Sequence, residues 1–243
     1  MIIQEIQAKS ILSRSGVYPY VINPYIGCQH NCSYCYARFM RRFTGHKEAW
    51  GQFVDVKLNA PELLSKELTR KKRDRVWISG VCDPYQPLEE QYQLTRQCLA
   101  LLAEADWPVS VQTRSPLVAR DIDILKMGSE FEVGMSITTA DDHIRNLFEP
   151  LAPPIQDRIK ALAELHLAGI CTYVMIAPML PKCVDLPELL DGITDRVILD
   201  RMNYQHADWV YRRFGLEAKM TDEYFNQTEQ ILLSACKAKG IIC

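Results

Sequence analysis

Runs of β-branched and aromatic residues alternate with amphipathic stretches along this chain about every 25 to 40 residues, and that alternation limits the folds open to it. Strands are predicted over residues 17–23, 75–81, 109–113, 131–138, 170–177 and 196–199. Helices are predicted over residues 36–43, 61–72, 89–104, 116–126, 155–168, 186–190 and 221–239. Leu63, Leu64 and Leu68 share one face of the second helix, and Gly128, Gly169 and Gly240 each follow a helical run as a stop. Six β→α repeats are the pattern of a parallel sheet linked by right-handed helical crossovers. Eight would close a barrel, so six imply an open one. The expected class is α/β, a partial (β/α)6 barrel in a single domain over residues 1–243, with a core over about 15–203 and a helical segment over 204–243. In such folds ligands sit at the C-terminal ends of the strands, so chemistry is expected just after each one.

Composition agrees with a globular chain: of 243 residues 48% are apolar and 24% charged. Lys and Arg number 28 against 30 for Asp and Glu, a formal charge of −2, which gives no global field toward nucleic acid. No apolar run approaches the ~18 residues of a membrane span, and polar residues interrupt the start too early for a signal peptide. The expectation is a cytoplasmic protein with no membrane partner. Nine cysteines are too many and too odd in number for a complete disulfide set, which shifts the weight to thiols that bind metal or react.

Three of them fall together. In Gly27-Cys28-Gln29-His30-Asn31-Cys32-Ser33-Tyr34-Cys35-Tyr36 the thiols are spaced C-x3-C-x2-C on a loop after the first predicted strand, so all three can meet one inorganic centre. Thiolates suit zinc or iron–sulfur clusters, and both usually want four ligands. His30 would complete a zinc site. Three cysteines alone would leave one iron of a [4Fe–4S] cluster open, and an open position is where a metal centre does chemistry.

With Tyr34 before the third cysteine, this loop resembles the signature of the radical S-adenosylmethionine (SAM) enzymes. Within that superfamily the chain resembles the spore photoproduct lyase-like branch over about residues 5–185. Asn23-Pro24-Tyr25, Tyr34-Cys35-Tyr36-Ala37-Arg38-Phe39-Met40, Asp83-Pro84-Tyr85-Gln86-Pro87-Leu88-Glu89 and Thr113-Arg114-Ser115-Pro116-Leu117 carry the likeness. Glu149-Pro150, Ala152-Pro153, Arg158 and residues 178–181 add to it. The resemblance implies a radical SAM barrel holding a [4Fe–4S] cluster on Cys28, Cys32 and Cys35. It further implies reductive cleavage of SAM to a 5′-deoxyadenosyl radical that takes hydrogen from a substrate.

Residue by residue, the resemblance places the backbone near Tyr34 against the adenine, Ser79 and Gly80 at the methionine amino group, and Asp83 as an acceptor behind them. Arg114, flanked by Thr113 and Ser115, falls where a basic residue meets the ribose or carboxylate. Ser136 and Thr138 fall at a further carboxylate or ribose contact, and Pro178 by the adenine. The lyase quenches its product radical with a thiol whose position here is Gly80, beside tyrosines that correspond to Tyr34 and Tyr36. Cys82 lies two residues on, and the same face of a strand would point it at SAM, as a hydrogen donor or relay with Tyr36.

Plainer roles compete. Ser115, Thr138 and Thr139 sit where helices begin and suit N-caps. Asp83-Pro84 suits a turn, and Cys82 a small apolar core side chain. Two basic runs, Arg38 with Arg41, Arg42, His46 and Lys47, and Lys66 with Arg70, Lys71, Lys72, Arg73 and Arg75, read as solvated faces, or as a dock for an acidic electron donor such as flavodoxin or ferredoxin. The substrate is left open among nucleic acid, as in lesion repair or modification, a peptide and a small metabolite. Non-enzymatic zinc or iron–sulfur proteins are the alternatives of another class. Cys98, Cys171, Cys183, Cys236 and Cys243 show no paired spacing and are expected in the core, as are Trp209, Tyr211, Phe214 and Tyr224.

Overall fold

The computed structural model describes all 243 residues and holds ten strands. They are β1 (Ile2–Ile6), β2 (Ser13–Arg14), β3 (Tyr20–Ile22), β4 (Tyr25–Ile26), β5 (Phe53–Lys57), β6 (Val76–Ile78), β7 (Val109–Thr113), β8 (Phe131–Ser136), β9 (Cys171–Ile176) and β10 (Arg196–Leu199). Seven of them form one sheet in the order β10-β9-β8-β7-β6-β3-β2, parallel throughout except where β2 runs antiparallel to β3. The six parallel strands are those of the expected partial (β/α)6 barrel. Its two ends, β2 and β10, do not pair with each other, and the free side of β10 is met only at its start, where Ile242 bridges Arg196.

Alternation along the strands sorts the two faces of this sheet. Val109, Val111, Val133 and Val174 are buried with Leu99, Leu102, Leu162 and Leu165 in one large cluster between sheet and helices. Each such leucine contributes about 1.5–3 kcal/mol by burial. The intervening residues face inward, where the register sets Trp77 beside Ser110 and lines up Gln112, Gly134 and Tyr173 across three strands. Gly134 is needed there, because a Cβ would stand 2.2 Å from the Tyr173 ring.

Several elements are shorter or tighter than the sequence suggests. The strand expected over residues 75–81 stops at Ile78, so Ser79, Gly80 and Cys82 lie on the loop that follows and the same-face argument for Cys82 does not apply. Residues 36–43 form a 3₁₀ helix, and the helix expected over 89–104 breaks at Gln93, whose φ is +50°. The first strand shrinks to β3, leaving Val17 72% exposed. Cys98, Cys183 and Cys236 are in the core as expected, while Cys171 and Cys243 are exposed. Tyr211 is buried, but Trp209 is exposed, because the helix Asp208–Arg213 offers only Val210 and Tyr211 to the interior, and Phe214, just past its end, is exposed too. No helix is long and apolar enough to cross a membrane.

A second sheet, β1-β5-β4, has no counterpart in the sequence reading. β1 is mostly exposed and β4 has two residues, so neither shows a periodic pattern. Its central strand supports the cysteine loop: Gly27 has φ +95°, and a Cβ there would stand 2.3 Å from the Phe53 carbonyl oxygen. Gly169 has a similar φ of +80° with nothing within 4 Å of its Cβ position. Gly27→Ala therefore carries both conformational strain and a backbone clash, and Gly169→Ala the strain alone. Urea denaturation should find G169A destabilised by about 1 kcal/mol and G27A by clearly more.

Candidate active site

The cysteine loop leaves β4 through Gly27 and ends at the 3₁₀ helix Tyr36–Phe43, with Asn31 turned by a φ of +50° between the first two thiols. Cys28, Cys32 and Cys35 line one cavity of about 510 Å³ at the C-terminal ends of the barrel strands. Ser79, Gly80, Cys82 and Asp83 after β6, Thr113 and Arg114 at the end of β7, Ser136 on β8 and Pro178 after β9 reach the same cavity, with Tyr34 and Tyr36. Chain segments more than a hundred residues apart are thus brought to one chamber, as the strand-end rule requires.

Two of the expected residues lie off the cavity wall. Ser115 takes the capping role, its Oγ accepting from the Leu117 amide at 3.3 Å. Thr138 neither caps a helix nor reaches the cavity: its hydroxyl donates to Glu149 at 2.7 Å. Thr139 donates to the Pro181 carbonyl, and the cap of the next helix is Asp141. Asp83 does open a turn, one oxygen accepting from the Tyr85 amide at 2.9 Å, but the same carboxylate accepts from the Thr113 hydroxyl at 2.6 Å and the Arg114 amide at 2.9 Å. It thereby ties the loop after β6 to the end of β7.

No three His, Cys, Asp or Glu side chains gather as a ligand set for a single metal ion, and the imidazole that would complete a zinc site is engaged elsewhere. His30 is 1% exposed and directs Nδ1 at Asp83, 3.4 Å away. Burial opposes a charge on this imidazole, but the charges of Asp83 and Cys28 outweigh it and lift its pKa to about 9. Burial likewise acts to raise the Asp83 pKa, and His30, Arg114 and the Thr113 hydroxyl hold it well below the usual carboxylate range.

The string after Asp83 clamps the cysteine loop. Gln86 accepts from the Gln29 amide at 3.0 Å and donates toward the Gly27 carbonyl, and Gln29 in turn accepts from the Leu88 amide at 2.8 Å. Glu89, fully buried, takes the Tyr25 hydroxyl, the Thr95 and Arg96 amides and the Arg120 guanidinium. Asn23 accepts from the amides of Gly80 and Val81, both at 2.9 Å, which fixes the backbone at the cavity edge.

Glu149 is the site residue that the motif reading passed over, although its string with Arg158 marked the place. It is fully buried, as is Arg158, whose Nη2 donates to it at 2.6 Å. Its other oxygen, Oε1, receives the Tyr34 hydroxyl, which orients that ring beside Cys32, and lies 3.4 Å from the Arg114 Nη1. Arg114 meanwhile donates Nη1 to the Cys32 sulfur at 2.7 Å and to the Tyr34 oxygen at 3.0 Å.

Residues 22–185 match the family described as the Radical SAM superfamily. The chain belongs to that superfamily. Members use a [4Fe–4S] cluster and SAM. An uncharacterized protein of Methanocaldococcus jannaschii is 38% identical over 171 residues, 70% of this chain and 64% of that one, so the likeness spans less than two thirds of the relative. A radical SAM Nα-GlyT isomerase of Pseudomonas phage M6 is 28% identical over 163 residues, 66% of this chain and 33% of the isomerase. Solved structures of spore photoproduct lyase with dinucleoside spore photoproduct, one also holding AdoMet, give TM-scores of 0.74 and 0.72 at 14% identity. They cover 99% of this chain and 81% and 80% of theirs, a likeness of fold.

Burial alone would raise the Glu149 pKa, but Arg158 and Arg114 hold its carboxyl at about 2, below the ordinary 4.5. Folding thus favours the ionised form, and its stabilisation is complete above about pH 4.5 and lost as the pH falls toward 2. Glu149→Gln should cost about 3 kcal/mol at pH 7, since Arg158 is left buried without its counter-charge. Denaturation titrations from pH 5 to 2 should show a shallower loss of stability in E149Q than in the wild type.

Proposed function

We propose that this chain is a radical SAM enzyme, working as one domain in the cytoplasm, whose cluster is held by Cys28, Cys32 and Cys35. The observation that carries the reading is that these thiols share one cavity with polar groups from the ends of β6, β7 and β8. The donor set fits the group: three thiols come from the loop, and the side-chain amide oxygen of Gln112, Oε1, on the same cavity, is buried with no partner in the chain. When bound, the reduced cluster would supply the electron that cleaves SAM to methionine and a 5′-deoxyadenosyl radical. Ser79, Gly80, Asp83, Thr113, Arg114, Ser136 and Pro178, with the backbone at Tyr34, are the residues we assign to SAM. Ser115 and Thr138 support this wall from behind.

Cys82 is assigned the hydrogen-donor role, with Tyr36 as its relay partner. Its sulfur lies 2.9 Å from the Ser79 hydroxyl on the cavity, and burial pushes the thiol up to about 12, so it keeps its hydrogen at neutral pH. Tyr36 donates its hydroxyl to the Gly80 carbonyl close by. The same cavity is also lined by Tyr18, Trp77 and Tyr173, rings suited to a planar group. That wall favours a nucleic-acid base over a peptide or a small metabolite, in line with the dinucleoside spore photoproduct bound in the spore photoproduct lyase structure. The electron donor, of flavodoxin or ferredoxin type, is assigned to the helix after Cys35, where Arg41 and Arg42 flank the exposed Phe43.

Anaerobic reconstitution followed by dithionite reduction should give a [4Fe–4S] electron paramagnetic resonance signal that shifts on adding SAM, with 5′-deoxyadenosine accumulating. A cluster indifferent to SAM, or tight zinc with no cluster, would overturn the reading. Replacing Cys82 by Ala should leave iron content and the SAM-dependent shift at wild-type levels, whereas Cys32→Ala should lose the cluster. Iron analysis of the two variants tests the cluster assignment, and unchanged turnover and product identity in C82A would overturn the hydrogen-donor role.

A further inference from the structure

We infer that Arg114 tunes the cluster itself: its guanidinium is a fixed hydrogen-bond donor to the Cys32 sulfur that makes the cluster easier to reduce. The inference rests on Cys32 being a cluster ligand. Arg114 follows β7, and its Nη1 lies 2.7 Å from the Cys32 sulfur, 3.0 Å from the Tyr34 oxygen and 3.4 Å from Glu149 Oε1. Its backbone amide donates to Asp83 Oδ2 at 2.9 Å, and its Nε stands 3.9 Å from the same oxygen. A carboxylate therefore holds the cation from either side, and each carboxylate is itself anchored, Asp83 by Thr113 and Glu149 by Arg158. The side chain is 17% exposed, so water screens it little. All the hydrogen bonds of the guanidinium use Nη1, which leaves the rest of the group to the SAM contact proposed above.

Reduction adds one electron to the cluster from an external one-electron donor, a reduced flavin or iron–sulfur carrier, with no bond made or broken. The product carries one more negative charge. A cation and an N–H donor at a ligand sulfur stabilise that charge more than they stabilise the oxidised state, and so raise the reduction potential. The arginine of the helix after Cys35 acts differently: Arg38 donates to the carbonyl oxygens of Cys32, Ser33 and Cys35, and none of its bonds reaches a sulfur.

Pulsed electron paramagnetic resonance on the reduced, SAM-free wild type, grown with ¹⁵N-arginine, tests this directly. A ¹⁵N coupling from arginine at the cluster is expected, lost in Arg114→Lys and kept in Arg38→Lys. In an EPR-monitored redox titration, Arg114→Gln should make the cluster harder to reduce by tenfold in the equilibrium constant, about 59 mV for a one-electron couple. A loaded wild-type cluster with no arginine coupling, or R114Q with an unchanged potential, would overturn the inference while leaving the cluster assignment standing. Failure of the wild type to load any cluster would remove the assignment and this inference together. Should R114Q not fold, the wild-type spectrum still decides.

Discussion

One carboxylate, Asp83, is the joint on which the site depends. Buried beneath the cavity, it accepts hydrogen bonds from the Tyr85 amide, the Thr113 hydroxyl and the Arg114 amide, and it faces His30 of the cysteine loop. Three segments meet at it: the loop that carries the thiols, the loop after β6 and the end of β7. A buried charge is tolerable only when it is fully partnered, and the partners here are the very segments whose relative placement makes the chamber. Stability and site geometry are therefore the same set of contacts. Glu149 repeats the arrangement on the other flank, where Arg158, Arg114, Thr138 and Tyr34 converge on one buried side chain.

The barrel and the place of its chemistry were legible in the sequence for a physical reason. The parallel strands bury one face against helices, so Val109, Val111, Val133 and Val174 alternate with residues such as Ser110 and Gln112, and the intervening helices repeat at 3.6. The cysteine spacing is local and needed no folding to be seen. What the chain order hides are the contacts that folding creates between distant residues. Nothing in Gln29 or Gln86 alone announces that they lock together across 57 positions, and nothing in Arg114 alone announces the Cys32 sulfur. The sheet β1-β5-β4 was hidden for another reason: one edge strand, β1, is exposed and the other, β4, is only two residues long, so no pattern of burial marks either.

The strings that carried the likeness to the family acquire a mechanical meaning in the structure. Asp83-Pro84-Tyr85-Gln86-Pro87-Leu88-Glu89 supplies, in order, the buried hub, a hydroxyl to Asp121, the clamp on Gln29 and Gly27, and the carboxylate under Tyr25. Asn23 in the earlier string holds two backbone amides of the loop after β6. Apart from Asp83, which also lines the cavity, these residues are braces around the chamber, set behind the groups that face it. Ser115 and Thr138 join them, which is why a reading by strand position alone set them one layer too far forward.

The unpaired ends of the large sheet bear on what the chamber can serve. β10 and β2 share no hydrogen bonds, the single bridge at Arg196 being to Ile242, while Tyr18 on one flank and Ile198 on the other both reach the interior. A closed ring of strands admits only what threads its mouth, so the whole guest must be smaller than the passage. A sheet with a seam imposes no such limit: a group can enter sideways while still attached to a long polymer that stays outside. The 510 Å³ of the cavity then limits the reacting group and leaves the size of the molecule that carries it unrestricted.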